Sequence, residues 1–306
     1  MLPRYNPHMS TRREFLAGAA VLAPLLKAIP LKSFPLGVTS DEIDEDLKTA
    51  LMFLREFGLE YAEIRNLWGK YNTAQPLEKI REARALMDEY RVRTSILSTG
   101  FFKVPVPAEN SAALDEQWKL LDGAFERATI LGVKKLRTFA FTYKTGEKPE
   151  ASAYPRIYEL VREAARRAHA RGFQLAVENV GQSYVWTGAE AGRLLAAVKE
   201  DALGLTWDPN NAGEAGEHAF PDGYKQLDPA RIFHVHLRDY RHNKDGKVEW
   251  CAVGEGEMDN LGQIRALLGA GFKGTWTLET HYRSPLGKAH ATRTSLTALL
   301  KVVERV

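Results

Sequence analysis

The strongest constraint on how this chain folds is a recurrence. From residue 33 onward, short apolar runs of strand length alternate with amphipathic stretches of helix length, one pair about every 35 to 45 residues. The runs 33–38, 59–64, 91–97, 134–141, 173–178, 202–208, 231–237 and 274–279 read as strands, and 41–57, 77–90, 112–131, 156–170, 189–198, 261–268 and 291–303 as helices. Gly58, Gly132 and Gly172 follow three of the helices, where a residue free to adopt positive φ closes the last turn. Residues 212–230, with Gly213, Gly216, Pro221, Gly223 and Pro229, leave room for only a short helix. Strands joined through helices pair in parallel, and eight such units in this length of chain fit a closed (β/α)8 barrel better than an open sheet. The expected fold is therefore α/β, a single barrel domain over residues 33–306.

Residues 1–32 read differently. Thr11-Arg12-Arg13-Glu14-Phe15-Leu16 resembles a twin-arginine export signal, and residues 17–29 supply the apolar stretch that follows it. That stretch is short and interrupted by Lys27, so no stable membrane span is expected after signal removal. The expected destination is the periplasm or the exterior. The segment also carries the chain's basic excess: without Arg4, Arg12, Arg13, Lys27, Lys32 and Glu14, the totals of 42 basic and 39 acidic residues become 37 and 38. A nearly neutral body lacks the positive footprint of a nucleic-acid partner. A homo-oligomer is compatible with the composition. The single cysteine, Cys251, excludes an intrachain disulfide and reads as a small packed residue.

Four of the apolar runs end in residues that bind metal: Leu175-Ala176-Val177-Glu178-Asn179, Leu205-Thr206-Trp207-Asp208-Pro209, Phe233-His234-Val235-His236-Leu237-Arg238 and Thr275-Trp276-Thr277-Leu278-Glu279-Thr280. The C-terminal ends of barrel strands form one mouth, where such barrels carry their active sites. Three carboxylates and an imidazole suit one divalent ion, Mn, Co or Mg before Zn. His234 and His236 face the same side of their strand, and His236 lies nearer the mouth, so His236 is the better ligand. Glu279 and His281 likewise share a face. Two glycine patterns carry no phosphate site. Gly269-Ala270-Gly271-Phe272-Lys273-Gly274 follows a helix and precedes a strand, the reverse of a dinucleotide fingerprint, and Gly254-Glu255-Gly256-Glu257 carries two acids.

The ordered set V-E-N, W-D-P-x-N, V-H-L-R-D and L-E-T resembles the xylose isomerase-like superfamily of sugar isomerases and epimerases, over nearly the whole chain after the signal. The resemblance implies a metal held by Glu178, Asp208, His236 and Glu279, and an isomerase or epimerase that works on a sugar or keto-sugar through an enediolate. Glu178 and Glu279 would be its acid/base pair. Glu63, Asn179, Asn211, Arg238, His242 and His281 are the expected substrate contacts around that site, although Asn211 and His242 differ from the His and Arg that the epimerases carry at comparable offsets, with Trp68, Phe101, Phe102, Tyr143, Tyr184 and Trp250 as an apolar wall. A metal-dependent lyase or dehydratase on a keto-sugar, keto-glycoside or inosose is the alternative, since the same enediolate can expel a leaving group. A noncatalytic exported carbohydrate-binding protein is the third reading. The endonuclease IV branch of the scaffold is disfavoured, because Asn211 stands where it has a histidine and no D-x-H pair follows His236.

Overall fold

The computed structural model describes residues 34–306, so the export signal expected over residues 1–32 lies outside the described residues. Eight strands, β1 (Leu36–Thr39), β2 (Tyr61–Ile64), β3 (Arg93–Ser98), β4 (Lys135–Thr138), β5 (Gln174–Glu178), β6 (Leu203–Trp207), β7 (Ile232–Leu237) and β8 (Thr275–Leu278), close into a parallel barrel. The ring order is β1-β8-β7-β6-β5-β4-β3-β2. Pairing of Leu36 with Trp276, Gly37 with Thr277 and Val38 with Leu278 closes the seam between the first strand and the last. Strands covered on both faces must be apolar almost throughout, and β6 and β8 are buried at every position.

The helices are α1 (Leu47–Glu56), α2 (Leu77–Glu89), α3 (Ala112–Leu131), α4 (Tyr154–Ala170), α5 (Gly188–Ala197), α6 (Pro209–Glu214), α7 (Asn260–Gly269) and α8 (Lys288–Val303). Local chemistry sets their ends. Ser111 accepts a hydrogen bond from the Leu114 N–H to start α3, and Gly132, at φ 69°, ends it. Thr187 and Glu190 form a reciprocal capping box on α5. Apolar faces of the helices seal the outside of the sheet. Each fully buried Leu or Ile there, such as Leu205 or Ile264, contributes about 1.5–3 kcal/mol.

Two departures from the sequence expectation shape the mouth. The helix expected over residues 41–57 breaks at Asp44 (φ −155°, ψ 153°), whose carboxylate accepts from the Asp46 N–H at 2.8 Å while Asp46 caps α1. The detached turn Ser40–Ile43 thereby carries Asp41 and Glu42 to the rim of the barrel. The second departure is two antiparallel hairpins that no apolar run signals, one pairing Asn66–Leu67 with Lys70–Tyr71 and the other pairing Asp239–His242 with Val248–Cys251. No helix of the described residues is long and apolar enough to cross a membrane.

Candidate metal centre

Glu178, Asp208, His236 and Glu279 converge inside the C-terminal mouth, buried, with ligand atoms all within 4.8 Å of one another. His236 Nδ1 is the focus: Glu279 Oε2 lies 3.2 Å away, Glu178 Oε1 3.3 Å and Asp208 Oδ2 3.5 Å. Asp208 is aimed by the chain that follows it. Its Oδ1 caps α6, accepting from the Asn210 and Asn211 N–H groups at 2.9 and 3.1 Å, which turns Oδ2 inward.

His236 is oriented from below. Its Nε2 lies 3.0 Å from Glu63 Oε2, and because an ionised carboxylate only accepts, Nε2 carries the hydrogen and the Nδ1 lone pair faces the cluster. The buried His236 Nδ1 and Asp208 Oδ2 have no hydrogen-bond partner among the described residues. Four converging donor atoms with no hydrogen among them repel one another unless a cation lies between them, and a mixed N/O set suits a divalent ion. The residues fit that group. The same focus attracts a proton: burial would lower the His236 pKa, but the Glu63 and Glu279 carboxylates raise it well above the ordinary value.

Each carboxylate of the cluster has its own arginine. Glu178 gives Oε2 to Arg137 Nη1 at 2.9 Å, and Glu279 gives Oε1 to Arg65. Arg238 Nη2 lies 2.7 Å from Asp208 Oδ2, outside hydrogen-bond geometry, and donates to Asn211 Oδ1 at 2.6 Å. Arg65 is held in turn by Asp41 and Glu42 at 2.8 Å each, the residues delivered by the detached turn. Burial alone would raise the Glu279 carboxyl, but the charges on His236, His281 and Arg65 hold it well below the usual range. Asp208 is likewise lowered against its burial, chiefly by Arg238 and His236.

A chamber of about 190 Å³ stands over the cluster. Of the residues expected to meet substrate, Glu178, Asn211, Arg238, Glu279 and His281 line it; so do Arg65, Tyr71, Lys103 and Arg137, which lie outside the expected set. Arg137 leaves a trace in the sequence, as a charge inside an apolar run. Lys103 leaves none. The residue is exposed, yet its ammonium lies over the Phe139 ring, and loss of hydration lowers its pKa against the pull of Glu178.

Three expected contacts do not line the chamber. Glu63 is fully buried, shared by His234 Nε2 at 3.1 Å and His236 Nε2, and bound by the Ser98 hydroxyl, so it is placed to support His236. Asn179 is occupied in clamping Asp208, donating to its carbonyl at 2.7 Å and accepting from its N–H at 2.8 Å. His242 lies out on the hairpin, exposed and paired with Glu257 at 2.9 Å. Of the expected aromatic wall, Phe101 and Phe102 stack in the core, none of the six lines this chamber, whose lining residues are nearly all polar or charged, and Trp250 lines a second groove just outside it. Cys251 is buried, and burial pushes its thiol up to about 12, which disfavours the thiolate and accords with a packed residue.

Fold and cluster together define a (β/α)8 barrel with a candidate metal centre at its mouth. The chain belongs to the xylose isomerase-like TIM barrel family, whose pattern matches residues 51–302. Among proteins of curated function, none matches the chain in sequence. Several solved structures share the fold. The IolI protein with a binding zinc atom superposes with a TM-score of 0.71 at 22% identity, over 89% of this chain and 99% of that one. The D-allulose 3-epimerase from Methylomonas sp., in complex with D-allulose, gives 0.65 at 18% identity over 87% and 90%. The probable 3-DHS dehydratase AsbF from Bacillus anthracis gives 0.67 at 16% over 88% and 98%. At these identities the likeness establishes the architecture.

Proposed function

We propose that the protein is a metal-dependent isomerase or epimerase that acts on a sugar or keto-sugar through an enediolate, with Glu178, Asp208, His236 and Glu279 holding the ion. The observation that carries this reading is the divided use of two glutamates. Glu178 and Glu279 each give one oxygen to the focus at His236 Nδ1 and the other to a guanidinium, Arg137 or Arg65. They are thereby fixed on strand ends that β6 and β7 separate, both facing the chamber. A substrate carbon between them can lose its proton to one carboxylate and receive one from the other. Asn211, Arg238 and His281 are placed to bind substrate oxygens. The ion, when bound, polarises the neighbouring carbonyl and offsets the charge that develops on its oxygen.

Glu178→Gln and Glu279→Gln should each lower turnover by about 10²–10⁴-fold, measured on a panel of ketoses and keto-sugars with Mn, Co, Mg or Zn supplied. Full activity in either variant would end the reading. One observation favours the lyase or dehydratase as a second reading: His281 sits at the rim, its Nε2 3.6 Å from Glu279 Oε1, where a proton donor could meet a departing oxygen. Product mass separates the two, since isomerisation conserves it and elimination does not. Export by the twin-arginine route completes the proposal. Replacing Arg12 and Arg13 together by lysine should retain the protein in the cytoplasm, as read by cell fractionation.

A further inference from the structure

The inner chamber, at about 190 Å³, is smaller than the roughly 300–1,000 Å³ typical of sites that enclose a sizeable ligand. It does not stand alone. His281 lines it and also lines a second, more open groove of about 870 Å³ just outside. One bank of the groove is the hairpin after β7, through Trp250, and the other is the chain after β8, through Tyr282, Ser284 and Lys288. His281, at the neck between the two spaces, is held at φ 48°, a conformation uncommon for a residue with a side chain and one that recurs at ligand-binding positions.

The hairpin is fixed at its root. Asp239 accepts from the N–H groups of Tyr240 at 3.0 Å, Gly254 at 2.8 Å, Gly256 at 3.3 Å and Met258 at 3.1 Å. Its first arm is also seated on α6, where a Cβ at Gly213 would fall 2.1 Å from the Tyr240 hydroxyl, so only glycine permits the approach. Trp250 pairs with Tyr240 across the hairpin and is held by two residues of the inner chamber. The Arg238 guanidinium lies 4.1 Å from its ring centre, and the His281 ring meets it edge-on at 5.4 Å. The indole is half-buried and forms part of the groove wall. A rigid, partly open indole beside a polar chamber is a platform for a ring with an apolar face and polar edges. Two acids and two bases line the groove, and three of them are partnered, Glu42 with Arg65, Glu249 with Arg241 and Lys288 with Glu45; the fourth, Arg283, is exposed, so the groove carries no net charge and suits an uncharged occupant.

We propose that this groove is an outer subsite and that the substrate is a glycoside: the sugar ring that reacts enters the inner chamber, and a second, uncharged ring in glycosidic linkage lies against Trp250. This rests on the reading of the mouth as a sugar site. The test is equilibrium binding, by ligand-observed NMR, of 4-nitrophenyl β-glucoside and of glucose to the metal-loaded protein. The glycoside should bind about tenfold tighter than the free sugar; Trp250→Ala should erase that preference and Trp250→Phe should retain most of it. Equal affinities in the wild type, or equal losses for both ligands in Trp250→Ala, would overturn the proposal. Turnover of keto-sugars separates it from the activity assignment. A Trp250-dependent preference in a protein that turns over no keto-sugar or keto-glycoside removes the isomerase reading and leaves the subsite. Turnover of a free keto-sugar without the preference does the reverse.

Discussion

The mouth and the floor of the barrel treat the same side chains in opposite ways. Strand β4 sends Lys135 and Arg137 to one side, and β7 does the same with His234 and His236. At the mouth, carboxylates outweigh burial: Arg137 is raised by Glu178 and Glu63 although desolvation opposes it, and His236 is raised by Glu63 and Glu279. At the floor burial prevails. Lys135, whose ammonium donates to the Phe233 carbonyl at 3.1 Å and the Thr275 hydroxyl at 3.4 Å, is lowered to about 8 by burial, and His234 to about 4. Two residues along a strand therefore separate an anionic site built to hold cations from a dry interior that resists them. Desolvation opposes charge at both ends; at the mouth several carboxylates offset it, whereas at the floor His234 has the single Glu63 carboxylate that it shares with His236, which does not offset its burial.

Removing a mouth cation should cost the most. Arg137→Met leaves Glu178 buried without its guanidinium, and denaturant unfolding should show a loss of about 3–5 kcal/mol. A loss below about 1 kcal/mol would mean that these charges do not depend on one another. Next comes the link between the two regions. Glu63→Gln removes the carboxylate that sets His236, so divalent-ion affinity should fall about 10–100-fold in chelator competition; unchanged affinity would return Glu63 to the role of a substrate contact.

Smaller effects are expected at the floor. Thr275→Val deprives His234 Nδ1 of its 2.7 Å partner and should cost about 1 kcal/mol of stability with ion affinity unchanged. Lys135→Met sharpens the contrast through pH. The folded pKa of about 8 lies below the ordinary value of 10.5, so between them the unfolded chain binds more protons and stability rises with pH. The penalty from Lys135 is full below pH 8 and gone above about 10.5. The methionine variant should therefore gain of order 1 kcal/mol over wild type at pH 7 and lose that gain by pH 10.5. A gain that does not vary with pH would show that Lys135 is not desolvated.

Much of this arrangement is legible in the amino-acid order. The limits of α3 coincide with the expected residues 112–131, because Ser111 and Gly132 mark both ends locally. The four strand-end residues that converge are also the four expected to do so, since strand alternation fixes the face each side chain takes. The detached turn is not legible. Helix-forming residues run through Asp44, and only the competition from the Asp44 and Asp46 carboxylates breaks the run. The hairpin that carries Trp250 escapes for another reason: Asp239 holds its root through Gly254, Gly256 and Met258, contacts between loop atoms that follow no period.

Periodicity and capping, which act within a few residues, determined the eight βα units and the identity of the donors at the strand ends. Closure of the barrel decided what those donors meet. Glu63 and His236 are 173 positions apart in the chain, and Arg65 and Glu279 are 214 apart; each pair touches only because β2 lies three strands along from β7 and two from β8 in a closed ring. No local pattern records the width of that ring. The tertiary structure alone therefore made Glu63 a support for His236, gave each carboxylate its arginine, and put the Trp250 groove beside the chamber.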